Sequence, residues 1–125
     1  MILDTNGLSA LAEGESALEP ILRKAAQIAI PVIVLGEYRY GISHSRKRQH
    51  YAQWLAEYLS TFRILDVDER TTVSYSAVRT ELKKAGTPIP SNDVWIAALC
   101  RQHSLPLLSR DRHFEAVPGI RRLEW

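Results

Sequence analysis

At 125 residues, with 46% hydrophobic and 24% charged side chains, the chain has the size and balance of one folded domain with a real core. No apolar run approaches the roughly 18 residues that span a bilayer, and Met1-Ile2-Leu3-Asp4 lacks the basic start of a secretory signal. A net charge of +2 does not announce a nucleic-acid binder, and the single cysteine, Cys100, rules out an internal disulfide and suits a reducing cytoplasm.

Taken in order, Met1–Leu3 reads as a short buried strand ending in the polar turn Asp4-Thr5-Asn6-Gly7. Thr5, Asn6 or Ser9 then caps a short helix over Leu8–Ala12, which Gly14 breaks. Ser16 is expected to cap a helix over residues 17–27. Residues 28–35 are continuously apolar, so periodicity alone does not separate strand from helix. Pro31 divides them, because it suits a helix start better than a central ladder; a strand at 27–30 and a helix from about 32 to 43 follow.

Tyr51, Trp54, Leu55, Tyr58 and Leu59 recur at helical spacing and predict an amphipathic helix over 46–60. A strand at 62–67 leads to Asp68, which caps a long helix to about Lys84 buried through Val73, Ala77, Val78 and Leu82, with Gly86 as its C-cap. Ser91 is read as the N-cap of the next helix, so Asp93 falls in its first turn. A strand at 106–109, a turn or short helix at 111–114 and a last strand at 120–124 complete the chain. Strands alternating with helices predict an α/β domain over residues 1–125, with a central, mostly parallel sheet and helices on both faces. Such sheets carry their sites off the carboxyl ends of the strands.

Four acids stand out against that frame. Asp4, Asp93 and Asp111 lie at strand or helix ends beside apolar segments, and Glu37 lies inside an apolar helix. Taken singly, each has an ordinary explanation: capping for the aspartates, a salt bridge to Arg39 or to another helix's arginine for Glu37. Brought together they would repel unless a cation intervened, and carboxylate-only donors select hard divalent ions such as Mg²⁺ or Mn²⁺. Asn6, Asn92 and Ser109 sit beside three of the acids and are placed to orient them. The histidines His44, His50, His103 and His113 show no zinc spacing and are read as surface groups or phosphate contacts. The stretch from residue 38 to 56 holds no acid but contains Arg39, Arg46, Lys47 and Arg48. With Arg110 and Arg112 these are candidates for contacts to a phosphate backbone.

The sequence resembles the PIN-domain ribonucleases, specifically the VapC-type toxins of type II toxin–antitoxin pairs. The resemblance runs through Ile2-Leu3-Asp4-Thr5-Asn6, Val34 to Ile42 around Glu37, Asn92 to Ala98 around Asp93, and Leu107 to Phe114 around Asp111. It implies a PIN-like three-layer fold with about five strands and a metal-dependent endoribonuclease. Its acidic pocket maps onto Asp4, Glu37, Asp93 and Asp111, its polar residue before the last acid onto Ser109, and its asparagine after the first acid onto Asn6. It further implies an RNA substrate, a homodimer, and a small VapB-like antitoxin whose C-terminal segment enters the acidic pocket. Trp95 and Cys100 depart from the smaller residues usual at their positions. Two rival functions are a Mg²⁺ phosphatase and a non-catalytic binding module. The first lacks an Asp-x-Asp around Asp4, and the second would be favoured by loss of an acid, whereas all four are present.

Overall fold

The computed structural model describes residues 1–125. Five strands form one sheet in the order β3-β2-β1-β4-β5, and every pairing is parallel. They are β1 (Ile2–Leu3), β2 (Ala29–Pro31), β3 (Arg63–Leu65), β4 (Leu107–Leu108) and β5 (Arg122–Leu123). Six helices connect them: α1 (Thr5–Ala12), α2 (Glu19–Arg23), α3 (Val32–Ser43), α4 (Arg48–Tyr58), α5 (Glu69–Ala85) and α6 (Ser91–His103). No helix is long and apolar enough to cross a membrane.

The central strands are buried along their length. Ile2, Leu3, Ile30, Leu107 and Leu108 are fully shielded, and they merge with Leu8, Val34, Ile96, Leu99 and Phe114 into one core. β1 lies at the centre, and the chain leaves it toward β2 on one side while β4 closes the other. The order of the strands thus reverses beside β1, which opens a crevice at the carboxyl ends of β1 and β4.

Most elements lie where the sequence places them, with corrections that have local causes. Asp4 itself caps α1, through its carboxylate on the Gly7 amide, and so displaces Thr5, Asn6 and Ser9 from that role. The expected helix over 17–27 shrinks to a 3₁₀ turn over Ser16–Leu18 and the short α2. Pro20, which cannot donate inside a helix, is accommodated in the first turn of a new one. Pro31 ends β2 opposite Leu65 and leads directly into α3. β1 pairs with β2 only at Ile2–Ala29, so the missing Pro31 N–H interrupts no ladder to β1.

Asp68 and Thr71 form a reciprocal capping box at α5, and Gly86 ends that helix at φ 71°. Val73 is 72% exposed, however, and Ala77 is exposed too; α5 turns Thr71, Val78 and Leu82 inward instead. Ser91 is the first residue of α6 rather than its cap, following Pro90, whose side chain makes no capping bond. The aromatic stripe of α4 serves packing: Trp54 meets Tyr38 edge-on at 6.3 Å and Phe62 at 6.2 Å, around the buried Leu55.

Candidate active site

The acids reach one crevice by four routes. Asp4 follows β1, Asp111 follows β4, Asp93 lies in the first turn of α6, and Glu37 projects from the second turn of α3. Asp4 is 5% exposed and the other three are half-buried. One Asp4 oxygen, Oδ1, accepts from the Gly7 amide at 2.8 Å, and Oδ2 accepts the hydroxyl of the fully buried Ser109. The Ser109 oxygen in turn accepts the Asp111 amide at 2.9 Å, so one side chain ties the first acid to the last. Glu37 receives the Thr5 hydroxyl at 3.2 Å.

Burial raises the Asp4 carboxyl above its usual range, partly offset by the Ser109 and Gly7 hydrogen bonds and reinforced by the charges of Asp111 and Glu37. Burial likewise raises Asp93, partly offset by the His113 hydrogen bond, with Asp111 and Glu37 again adding repulsion. Asp4 and Asp93 are therefore each within electrostatic reach of Asp111 and Glu37. No lysine or arginine pairs with any of them. The salt bridge that would explain Glu37 structurally is absent.

Three residues outside the sequence-based site belong to it. Thr5 holds Glu37. Gly7 lets α1 approach β4: a Cβ there would stand 3.1 Å from the Leu108 carbonyl oxygen and 3.3 Å from Asp4 Oδ1. His113 is not a detached surface group; its Nδ1 lies 3.1 Å from Asp111 Oδ1 and 3.5 Å from Asp93 Oδ2. The sequence signal for it is its place two residues after Asp111 at the start of a turn. Conversely, Asn6 and Asn92 are exposed and make no side-chain hydrogen bond, whereas Ser109 is built into the site.

Of the basic candidates, Arg39, Arg46, Lys47, Arg48 and Arg112 are exposed without an ion-pair partner. Arg110 is already engaged, by Glu15 at 3.0 Å and by the Trp125 ring 4.5 Å below its guanidinium. A cavity of about 260 Å³, lined by Thr5, Ser9, Glu37, Tyr38 and Tyr51 among others, opens beside Glu37. Another cavity, of about 670 Å³, lies at the amino ends of the strands among Met1, Ala29, Arg63 and Pro106, away from this chemistry.

A PIN domain model matches residues 1–120. The chain belongs to the PIN domain family. Within that family it is 33% identical over 106 residues to the ribonuclease VapC2 of Rickettsia felis, covering 84% of this chain and 79% of that one. In three dimensions it is similar to the crystal structure of VapBC2 from Rickettsia felis bound to a promoter DNA fragment, with TM-score 0.86, 29% identity, and coverage of 99% of this chain and 97% of that one. A toxin–antitoxin complex from Klebsiella pneumoniae is also similar, with TM-score 0.76, 29% identity, and coverage of 95% and 93%. The all-parallel sheet and its flanking helices are those of the PIN-like three-layer fold.

Proposed function

We propose that this PIN-domain protein is the endoribonuclease toxin of a toxin–antitoxin pair, and that Asp4, Glu37, Asp93 and Asp111 hold one or two Mg²⁺ or Mn²⁺ ions for hydrolysis of an RNA phosphodiester. The observation that supports the reading is that Asp93 and Asp111 bring donor atoms into metal-ligand range, the almost fully buried Asp4 is tied to Asp111 through Ser109, and no lysine or arginine pairs with these acids or with Glu37. Burial, with repulsion from neighbouring acids, disfavours the charged forms of Asp4 and Asp93, which is the condition a divalent cation relieves. All-oxygen donors from carboxylates fit Mg²⁺ and Mn²⁺.

Such an ion supplies positive charge to a phosphoryl oxygen and lowers the pKa of a coordinated water. The chain's own part is to fix the carboxylates. Gly7 and Ser109 hold both oxygens of Asp4, Ser109 also holds the backbone at Asp111, and Thr5 holds Glu37. α6 presents Asp93 from a first turn whose following residues, Ile96 to Cys100, are buried and rigidly packed. Arg39, Arg46, Lys47, Arg48 and Arg112 are free to meet the RNA backbone, where they would position the strand without reading its bases. Asn6 and Asn92, at the exposed rim, are assigned to the substrate side of the site.

The partners follow from the same reading: an RNA substrate, a small VapB-like antitoxin, and a second copy of the chain, in the cytoplasm. The similarity to VapBC2 and to a toxin–antitoxin complex supports a partner of that kind here. Val32, Tyr40, Tyr58 and Val73 are exposed apolar or aromatic side chains available to a protein partner. The test is incubation of purified protein with RNA in EDTA, Mg²⁺ and Mn²⁺. Cleavage only with an added divalent ion is expected; cleavage unchanged in EDTA would refute the metal-dependent reading.

A further inference from the structure

We propose that the His113 imidazole joins Asp93 and Asp111 as a nitrogen ligand of the divalent cation, and that it tilts the site from Mg²⁺ toward first-row transition ions such as Mn²⁺. The inference rests on the metal-dependent reading above and adds a residue to it.

The geometry comes first. One donor atom each from Asp93, Asp111 and His113 lie within 4.8 Å of one another. The two nitrogen–oxygen separations are 3.1 Å and 3.5 Å. Ligands about 2.0–2.1 Å from an octahedral ion stand roughly 2.9–3.0 Å apart when adjacent and about twice the bond length apart when opposite. The imidazole nitrogen therefore already stands from each carboxylate oxygen at about the spacing of a neighbouring corner around one ion, to within a small side-chain adjustment.

The ring's attachment comes second. Asp111 Oδ1 accepts the His113 backbone amide at 2.9 Å, so the turn that positions the acid also positions the imidazole. The contact with Asp93 is not a by-product of that local turn, because Asp93 arrives from α6. The His113 side chain is 55% exposed and its Nε2 has no protein partner. The ring approaches both carboxylates through Nδ1, the atom that would bind the ion, and leaves Nε2 toward water. A shared cation makes three such donors compatible.

The selectivity follows from ligand type. Carboxylate oxygens alone serve Mg²⁺ well, whereas Mg²⁺ gains little from an imidazole and transition ions gain more. Removal of His113 should then weaken Mn²⁺ binding by about tenfold or more while leaving Mg²⁺ binding much less affected.

The experiment loads the purified protein with Mn²⁺ alone and records electron spin echo envelope modulation. Nitrogen modulation from a directly bound imidazole is expected. It should change on ¹⁵N-labelling of histidine, which alters no contact, and vanish in His113→Ala. Calorimetric titration should show the Mn²⁺/Mg²⁺ affinity ratio falling about tenfold in that variant. Mn²⁺ bound to the wild-type protein without nitrogen modulation would overturn the assignment of His113 and leave the four-acid reading standing. No Mn²⁺ binding by the wild-type protein would overturn both.

Discussion

Ser109, fully buried at the end of β4, donates its hydroxyl to Asp4 at the end of β1, across 105 positions of sequence. The same oxygen accepts the Asp111 amide. The two central strands are thus joined at their carboxyl ends by one small polar side chain, and two acids depend on it. Ser109→Ala should destabilise the protein by about 1–3 kcal/mol, because a buried carboxylate oxygen and an amide are left unpaired. It should also lower RNA cleavage by about 10–100-fold through misplaced carboxylates. Urea denaturation and single-turnover cleavage measure the two effects separately.

The raised carboxyls predict a pH dependence. In the metal-free fold, Asp93 keeps its proton to higher pH than in the unfolded chain, whose value is near 3.8. Between those values the folded state binds more protons, so stability falls as pH rises through the window, and the loss persists at neutral pH. Asp93→Asn should therefore raise the melting temperature of the metal-free protein at pH 7. The gain should shrink as the pH is lowered toward 3.8. Melting curves in EDTA across pH check this, and a lower melting temperature for the variant at neutral pH would contradict it.

The Tyr38 hydroxyl is buried without a hydrogen-bond partner, and burial pushes its pKa up to about 12. An unpaired buried hydroxyl costs about 1–3 kcal/mol relative to a paired one. Tyr38→Phe should consequently be neutral or stabilising, by up to about 1 kcal/mol, while preserving the edge-on contact with Trp54. Chemical denaturation of the two proteins side by side decides it.

The basic side chains should separate into two groups. Replacing Arg46, Lys47 and Arg48 by alanine should weaken RNA binding and flatten its dependence on salt, by a slope of about 0.7 for each phosphate no longer neutralised. Arg110→Ala should instead act on stability, by removing the bridge to Glu15 and the packing on the Trp125 face, with the salt slope little changed. Binding titrations over a range of salt concentrations and thermal melts distinguish the outcomes.

Much of this is legible in the sequence where local chemistry and global fold agree. The apolar starts of β1 and β4, the division at Pro31, the Asp68 cap and the Gly86 stop each carry a physical signature within a few residues. The four acids stand out in the sequence because an acid among buried aliphatics asks for a partner. What is not legible depends on contacts distant in sequence. Val73 fits the helical period of α5, yet the face that α6 covers lies elsewhere. Asp4 takes the α1 cap because Gly7 lets the first turn sit against Leu108. Thr5 and His113 acquire roles only when α3 and α6 come alongside.

The most direct measurement of the central claim is divalent-ion-dependent RNA cleavage by the wild-type protein, Asp4→Asn and Asp93→Asn, with Mn²⁺ affinity measured on the same preparations. Each substitution should leave a folded protein, weaken Mn²⁺ binding and reduce cleavage by about 10³-fold, the scale expected when several kcal/mol of transition-state stabilisation is removed. Wild-type cleavage by either variant would show that these carboxylates do not form the hydrolytic centre.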